Sequence, residues 1–269
     1  MSLRPAQSPA TTAAPASGRH RPASTVTVIA HRGASGYRPE HTIAAYRLAI
    51  EQCADAIEPD LVSTRDGVLV DRHENEISGT TDVSERPEFA DRRRTKTIDG
   101  LQVTGWFTED FSLAELRRLR AVERLPQLRP GSAAYDGRYR VPTFSEVLDF
   151  ARGQRTCKGK KVLVVPEIKH GTYFDSIGLS MEEKVVRELR RRGLDGRRSP
   201  IIIQSFEIGN LKELNRKLAV PLVQLVDCAG APADRVAAGD PITYADMVTP
   251  PDCARSRGTP ISWAPARTS

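Results

Sequence analysis

Two histidines, an arginine, a lysine and three acids stand at the ends of short apolar runs, where they could do chemistry together. His31 and Arg32 follow the run VTVIA, and Glu58 and Asp60 are two residues apart in AIEPDLVST. Residues i and i+2 of a strand point to the same face. Two carboxylates on one face repel each other unless a proton or a cation lies between them, and oxygen ligands suit a hard dication. The spacing therefore predicts a site for Ca²⁺ or Mg²⁺.

The second histidine of this group depends on a predicted hairpin. Asp66-Gly67 favours a two-residue turn between two strand-like runs. With that turn, Asp60 pairs directly with His73, and directly opposed residues share a face. We therefore expect His73 beside the acids, although a shift of the pairing by one residue would turn it to the other face.

A third acid, Glu167, and a cation, Lys169, end the next apolar run and are again two residues apart. A single acid or lysine at a strand end is usually a solvated or ion-paired rim residue, but the joint occurrence favours a site. Such a group suits a phosphate ester. Cations neutralise the phosphate oxygens, while one imidazole accepts a proton and the other protonates the leaving alkoxide. The sequence contains neither of the glycine-rich nucleotide motifs G-x-x-x-x-G-K-[ST] and G-x-G-x-x-G.

The elements that must position these residues alternate along the chain. Apolar runs predict five buried strands, at 26–31, 56–64, 161–169, 200–206 and 221–227. Apolar residues at helical spacing predict helices at 42–54, from the capping box of Thr143 and Glu146, at 181–192 and at 208–218. Strands separated by helices predict an α/β fold with a parallel sheet, either open or closed as a barrel.

Three segments depart from this alternation. Residues 1–24 are rich in Ala, Pro and Ser and are expected to form a disordered leader. Residues 74–140 are polar with little periodicity, so we interpret them as an insertion within the main domain, residues 25–250. The insertion is either a contributor to the substrate site or a decorative loop. Residues 251–269 have no strand or helix pattern and are expected to be an irregular tail.

Composition and charge exclude some classes of function. The 269 residues carry a formal charge of +6, but the basic runs are scattered and interleaved with acids, which argues against a nucleic-acid partner. No apolar run approaches the ~18 residues of a membrane span, so no stable membrane insertion is expected. The four cysteines have no zinc-type spacing, and the sequence leaves their redox state open.

Three motifs, IAHRGASGYRPEHT, IEPDLVSTRDGVLVDRHE and VVPEIKH, resemble those of the glycerophosphodiester phosphodiesterases, in particular the secreted or periplasmic bacterial type. The resemblance extends from about Val26 to Tyr244. It implies a TIM (β/α)8 barrel that hydrolyses glycerophosphodiesters, such as glycerophosphocholine, to sn-glycerol 3-phosphate and an alcohol with a divalent cation. It also implies a secreted or periplasmic location, although the chain shows no signal peptide.

The resemblance assigns roles to eight residues. It makes His31 and His73 the acid and base, Glu58, Asp60 and Glu167 the cation ligands, Arg32 and Lys169 the phosphate contacts, and Glu40 a neighbour of the metal or the substrate glycerol.

Three further positions near these motifs stay outside the assignment. His41 is expected to belong to a helix start rather than to the chemistry. Glu74 stands where relatives often have Asp, and its greater length predicts weaker orientation of His73. His170 has no assigned role.

The barrel expected from the resemblance has eight strands, whereas the sequence predicts five, or six if the segment near Tyr244 forms one. We therefore expect its last units to be missing, as in a truncated or frame-shifted product. Two alternatives remain open, a phospholipase D-like lipid phosphodiesterase and an inactive, incomplete barrel. The sequence decides neither the head group, the native cation nor the oligomeric state, and it leaves open whether water attacks directly or a cyclic phosphate forms.

Overall fold

The computed structural model describes residues 26–249 and the backbone of residues 261–265. The predicted leader, residues 1–24, lies outside this range. Among the described residues, no helix has both the length and the apolar character needed to cross a membrane.

The strands of the described residues are β1 Ile29–His31, β2 Ala56–Glu58, β3 Asp60–Ser63, β4 Leu69–Asp71, β5 Arg94–Ile98, β6 Leu101–Gly105, β7 Leu163–Val164, β8 Glu167–Ile168, β9 Ile203–Ser205, β10 Leu222–Val226 and β11 Ile261–Pro265. They belong to three hydrogen-bonded sheets, ordered β1-β2-β7, β11-β10-β9-β8-β3-β4 and β5-β6.

Two prolines divide what the sequence predicts as single strands. Pro59 separates β2 from β3, and Pro166 separates β7 from β8. Proline has no N–H to donate, so the ladder is interrupted there. The two halves still pair in parallel with their counterparts, β2 with β7 and β3 with β8. The parallel segments therefore follow one another in chain order, as in a (β/α)8 barrel, and the predicted α/β fold class is confirmed. Within the described residues, no pairing joins β11 to β1, so the sheet is open there.

The helices lie between these strands. Their bounds are α1 Ile43–Glu51, α2 Leu113–Leu116, α3 Pro130–Ala133, α4 Phe144–Arg152, α5 Gly171–Ser176, α6 Glu182–Arg191, α7 Ile208–Lys217, α8 Ala233–Ala237 and α9 Tyr244–Met247. The predicted capping box is confirmed, because Thr143 and Glu146 bond reciprocally at the start of α4. Helices α1, α4, α6 and α7 bury their apolar sides against the strands, and one continuous core joins them.

The hairpin of β3 and β4 has a different register from the predicted one. Ser63 pairs with Leu69, and the Thr64 N–H donates to the Val68 carbonyl at 2.9 Å, so three residues, 65–67, form the loop instead of two. The Thr64 hydroxyl explains the wider turn, because it accepts a hydrogen bond from the Val68 N–H at 3.0 Å, and Gly67 takes the positive φ of 76° that closes it.

The direct pairing of Asp60 with His73 is consequently wrong. The last ladder pair on this side is Leu61 with Asp71, and β4 ends there. Since His73 lies beyond the strand, the alternation of faces does not determine where its side chain points.

The predicted insertion, residues 74–140, is packed against the barrel. It contains the β5–β6 hairpin, helices α2 and α3, and three short 3₁₀ helices. Phe89, Phe107 and Phe111 of this segment are at most 2% exposed. These buried aromatic rings make the segment part of the fold rather than a surface loop.

In the C-terminal part, the structure decides one open alternative and contradicts one prediction. The segment near Tyr244, which the sequence left open as a sixth strand, forms helix α9, and Thr243 caps it through a box with Asp246. Within the predicted irregular tail, Ile261–Pro265 forms strand β11, paired in parallel with β10. The free hydrogen-bonding edge of β10 explains this strand, because strand formation depends more on available partners than on local pattern. The remaining tail residues lie outside the described range.

Cys53 and Cys157 form a disulfide, which the sequence left undecided. It joins the end of α1 to the loop before β7, and its Cα atoms are 5.2 Å apart. Cys228 is an exposed free thiol.

Candidate metal and catalytic site

The three acids predicted from the sequence come together at one end of the parallel strands. The register pairs Asp60 of β3 with Glu167 of β8, and Glu167 with Gln204 of β9. One carboxylate oxygen from each of Glu58, Asp60 and Glu167 lies within 4.8 Å of the others. A cation between them would be within reach of all three.

Their chemistry fits a divalent cation. Asp60 Oδ1 is buried without a hydrogen bond, while Asp60 Oδ2 and the buried Glu167 Oε1 contact only the cations His41 and Lys169 at 2.9 and 2.7 Å. Burial, together with the charge of Asp60, raises the pKa of Glu58 to about 7, and burial raises that of Glu167 to about 7 against the opposing charge of Lys169. Such oxygens are costly to bury alone, and a hard cation would compensate them.

Asp60 differs from the other two acids because cations surround it. Burial alone would raise its pKa, but the charges of Lys169 and His41 outweigh burial and hold the pKa well below the usual range. Lys169 also lies 2.7 Å from Glu167, as expected for residues two apart in a strand. The cluster therefore always contains at least one ionised ligand near neutral pH.

His31 ends β1 directly opposite Glu58 in the register, and its Nε2 lies 4.0 Å from a Glu58 oxygen. Its side chain is 67% exposed, so a substrate could reach it. Loss of water on its inner side and the Arg32 charge lower its pKa to about 4. At neutral pH the ring is uncharged and can accept a proton.

His73 lies on the same side of the site despite the changed hairpin register. Its Nδ1 is 2.7 Å from the Glu74 carboxylate, which leaves Nε2 as the nitrogen free to move a proton. Burial lowers the pKa of His73, and the positive charges of Lys169 and Arg32 lower it further. The contact with Glu74 and the charge of Asp60 raise it but do not outweigh burial. The expectation that Glu74 orients His73 poorly is wrong, because the longer side chain reaches the ring.

Arg32 and Glu40 form a buried pair, in which one guanidinium nitrogen donates to both carboxylate oxygens at 3.2 Å. Arg124 from the insertion contacts the same carboxylate at 3.4 Å. Arg32 has a φ of 63°, and Gly33 follows with 84°; a Cβ at Gly33 would lie 2.8 Å from Ala45. Glu40 is thus placed to hold Arg32 and is not one of the three clustered acids.

His41 is a functional candidate that the sequence assigned to a helix start. Thr42, not His41, caps α1. The His41 side chain is fully buried, with Nε2 2.9 Å from Asp60 and Nδ1 2.9 Å from both Asp71 and the Tyr46 hydroxyl. Although burial opposes it, the two aspartates raise the pKa of His41 to about 9. The imidazolium therefore holds Asp60 in place and balances its charge.

A cavity of about 620 Å³ is lined by Glu167 of the acid cluster and by Lys169. Its wall combines strand ends with the tip of the β5–β6 hairpin, including Asp99 and Leu101. Phe206 and Tyr244 contribute aromatic surface. The tip of the insertion therefore lines the cavity beside Glu167, which favours the interpretation of residues 74–140 as a contributor to the substrate site.

Three other residues of the site were missed from the sequence. Gln204 donates to Glu58. His170 is bonded to Glu74 and to Asp99. The dipeptide Asp99-Gly100 carries the same hairpin signal as Asp66-Gly67 and could have located the tip, but no spacing indicates its contact with His170.

Known sequences similar to this chain share one activity in their names. The sequence model of the glycerophosphoryl diester phosphodiesterase family matches residues 31–248. The chain is 36% identical over 211 residues to glycerophosphodiester phosphodiesterase GDPD6 of Arabidopsis thaliana, covering 74% of this chain and 55% of that protein. It is 31% identical over 214 residues to the glycerophosphodiester phosphodiesterase of Haemophilus influenzae, covering 74% and 56%. The chain thus spans about half the length of these relatives.

Solved structures share the fold. A candidate glycerophosphoryl diester phosphodiesterase of Silicibacter pomeroyi superposes with a TM-score of 0.65 at 24% identity, covering 90% of this chain and 75% of that one. A phosphodiesterase of Oleispira antarctica, in complex with the product sn-glycerol-3-phosphate, gives a TM-score of 0.56 at 17% identity, covering 91% and 85%. At these identities the likeness concerns the fold.

Proposed function

Because the chain belongs to the glycerophosphoryl diester phosphodiesterase family, we propose that it hydrolyses glycerophosphodiesters to sn-glycerol 3-phosphate and an alcohol. One observation carries the proposal: three buried carboxylates, one of them with an oxygen that has no hydrogen bond, meet at the strand ends beside His31 and His73. Family membership narrows the substrate class expected for this arrangement from phosphate esters in general to glycerophosphodiesters. The product bound to the Oleispira antarctica protein agrees with that choice.

The two histidines divide the proton transfers. His31, exposed and neutral, is suited to accept a proton from the attacking oxygen. His73, held through Nδ1 by Glu74, takes up a second proton on Nε2 and, in this doubly protonated form, gives that proton to the leaving alkoxide. Arg32 and Lys169 supply positive charge to the phosphate oxygens, and Glu40 fixes the guanidinium in its orientation.

We propose Ca²⁺ or Mg²⁺ as the cofactor held by Glu58, Asp60 and Glu167. When bound, it supplies positive charge that stabilises the developing charge on the phosphate. The all-oxygen donor set supports a hard cation over zinc or copper, which prefer nitrogen and sulfur.

The test is release of glycerol 3-phosphate from glycerophosphocholine by the purified chain with Ca²⁺, with Mg²⁺ and with chelator. We expect turnover that chelator abolishes and that His31→Ala reduces by about 10²–10⁴-fold. Arg118→Gln, which breaks an exposed ion pair with Glu88 in the insertion, serves as the matched control. Absence of turnover in all arms, from a chain that unfolds cooperatively, would refute the proposal. Greater activity on intact phospholipids would favour the phospholipase D-like alternative.

We also propose that the protein functions in an oxidising compartment, secreted or periplasmic. The Cys53–Cys157 disulfide supports this location, since structural disulfides are rare in reducing compartments. Mass spectrometry of protein alkylated in intact cells tests it. Full alkylation of both cysteines would contradict the proposal.

A further inference from the structure

Glu74 binds two histidines at once. Its Oε1 lies 2.7 Å from His73 Nδ1, and its Oε2 lies 2.9 Å from His170 Nε2. The other nitrogen of His170, Nδ1, lies 2.6 Å from Asp99. A chain of four side chains thus runs from the tip of the β5–β6 hairpin to the proposed acid His73.

The direction of these hydrogen bonds follows from the donors and acceptors present. An ionised carboxylate only accepts, so each nitrogen of His170 must donate, and its ring must carry both protons. The pKa of His170 is raised to about 9, since both acids outweigh its burial, which agrees with this state. Because Glu74 is then an acceptor toward both rings, His73 must donate through Nδ1. Its Nε2 is left without a proton in the neutral ring, so the proton that His73 takes up as an imidazolium and gives to the leaving group is carried on Nε2.

Glu74 would not hold this position alone. Its side chain is 50% exposed, and a half-exposed glutamate has several rotamers of similar energy. His170 fixes the second oxygen, and its own side chain is only 14% exposed. The backbone of His170 is in the left-handed region, with a φ of 52°, immediately before α5.

Asp99 in turn is held by the hairpin geometry. Asp99 and Gly100 form the two-residue turn between the paired residues Ile98 and Leu101, and both have positive φ, 48° and 85°. Farther down the hairpin, Lys96 binds Glu109 and Asp110 at 2.8 and 2.9 Å. The hairpin is therefore held at its tip through Asp99 and farther along β5 through Lys96.

We propose that His170, held by Asp99, is a positioning residue that keeps Glu74 on His73 and so sets the tautomer of the proposed acid. The role of His73 as acid rests on the proposed function, whereas the tautomer of the His73 ring does not depend on that function. A purely structural reading, in which His170 only fastens the hairpin over the cavity, predicts a different result: weaker substrate binding with an unchanged His73.

Two variants separate these readings. His170→Gln removes the doubly protonated ring. Asp99→Asn removes only the charge, and Asn-Gly still favours the same turn, so the hairpin keeps its form. Arg118→Gln again serves as control, because its exposed pair with Glu88 lies away from the four-residue chain.

The measurements are ¹⁵N–¹H correlation of the histidine rings and steady-state kinetics with glycerophosphocholine. In the unmodified chain we expect His73 protonated on Nδ1 and His170 on both nitrogens. In His170→Gln we expect a mixture of His73 tautomers and a kcat lowered on the order of 10-fold with KM within about twofold, less than loss of the acid itself would give. Asp99→Asn should show the same change to a smaller degree.

The inference is overturned if His170→Gln keeps the His73 tautomer, or if its KM rises while kcat is unchanged. If the unmodified chain cleaves no glycerophosphodiester but the tautomer of His73 changes as described, the proposed function fails and the positioning role stands. If turnover occurs and neither kcat nor tautomer responds, the positioning role fails and the function stands.

Discussion

Cation binding should depend steeply on pH, because two of its three ligands titrate near neutrality. The pKa of Glu58 and that of Glu167 are each raised to about 7, mainly by burial. His31, with a pKa lowered to about 4, and His41, with one raised to about 9, keep their charge states between pH 6 and 8. The cation needs both glutamates ionised, so its binding must displace their protons.

The magnitude follows from the two pKa values. For two independent acids of pKa about 7, both are ionised in roughly 0.8% of molecules at pH 6 and roughly 80% at pH 8. The apparent affinity should therefore rise about 100-fold over these two units, or about 2.7 kcal/mol. At pH 7 about one proton should leave per cation bound.

Stability should follow the same linkage. The folded pKa of each glutamate lies above its unfolded value of 4.5, so without cation the folded state becomes less stable as pH rises from about 4.5 through 7. Saturating cation reverses this loss. The gain in affinity between pH 6 and 8 corresponds to a thermal shift larger by about 5–11 °C at pH 8.

Calorimetric titration in two buffers of different ionisation enthalpy measures both the affinity and the protons released. Glu167→Gln leaves one titrating ligand, so the pH effect should fall to about 10-fold while overall affinity drops. An affinity that is constant from pH 6 to 8, or binding without proton release at pH 7, would show that these carboxylates do not hold the ion.

Three other outcomes follow from the structure. Because the pKa of His41 is raised above its unfolded value, its protonation contributes roughly 3 kcal/mol to the free energy of unfolding below pH 6.5, and this contribution is lost as pH rises through about 9. In urea unfolding, the unmodified chain should therefore be less stable at pH 9.5 than at pH 6 by this amount, and His41→Gln should lack this part of the pH dependence. Replacing Cys53 and Cys157 together by Ser opens a link across 104 residues and should cost about 2–5 kcal/mol, whereas an unchanged melting temperature would contradict a stabilising role. Arg32→Lys keeps the charge but not the paired contact with Glu40, so KM should rise about 10-fold; equal kinetics would exclude a forked guanidinium as the phosphate contact.

The acid cluster could be predicted because it depends on two rules, the i, i+2 spacing of residues in a strand and the common edge at which parallel strands end. Glu58 and Asp60 are two apart, and this spacing places them on one side even across the break at Pro59. Glu167 stands at the end of the neighbouring parallel strand, and carboxyl ends of parallel strands meet at one edge. Neither rule needs the exact register of a hairpin.

The contacts of His41 and His170 could not be predicted, because they depend on chain segments that are distant in sequence. His170 meets Asp99 across 71 residues, and this contact exists only because the insertion folds back over the strand ends. His41 is buried because Asp60 and Asp71 surround it, which requires the shifted pairing of β3 with β4. Local sequence contains neither fact.

The β3–β4 hairpin shows why a wrong prediction of its register left the predicted site nearly intact. A slip of one residue inverts the faces of a strand only where the ladder continues, and β4 ends at Asp71. Beyond that residue the chain is guided by other contacts: the Arg72 N–H bonds the Asp60 carbonyl at 2.8 Å, and Glu74 draws the His73 ring. Convergence at this end of the barrel is therefore imposed by polar contacts made after the strands end.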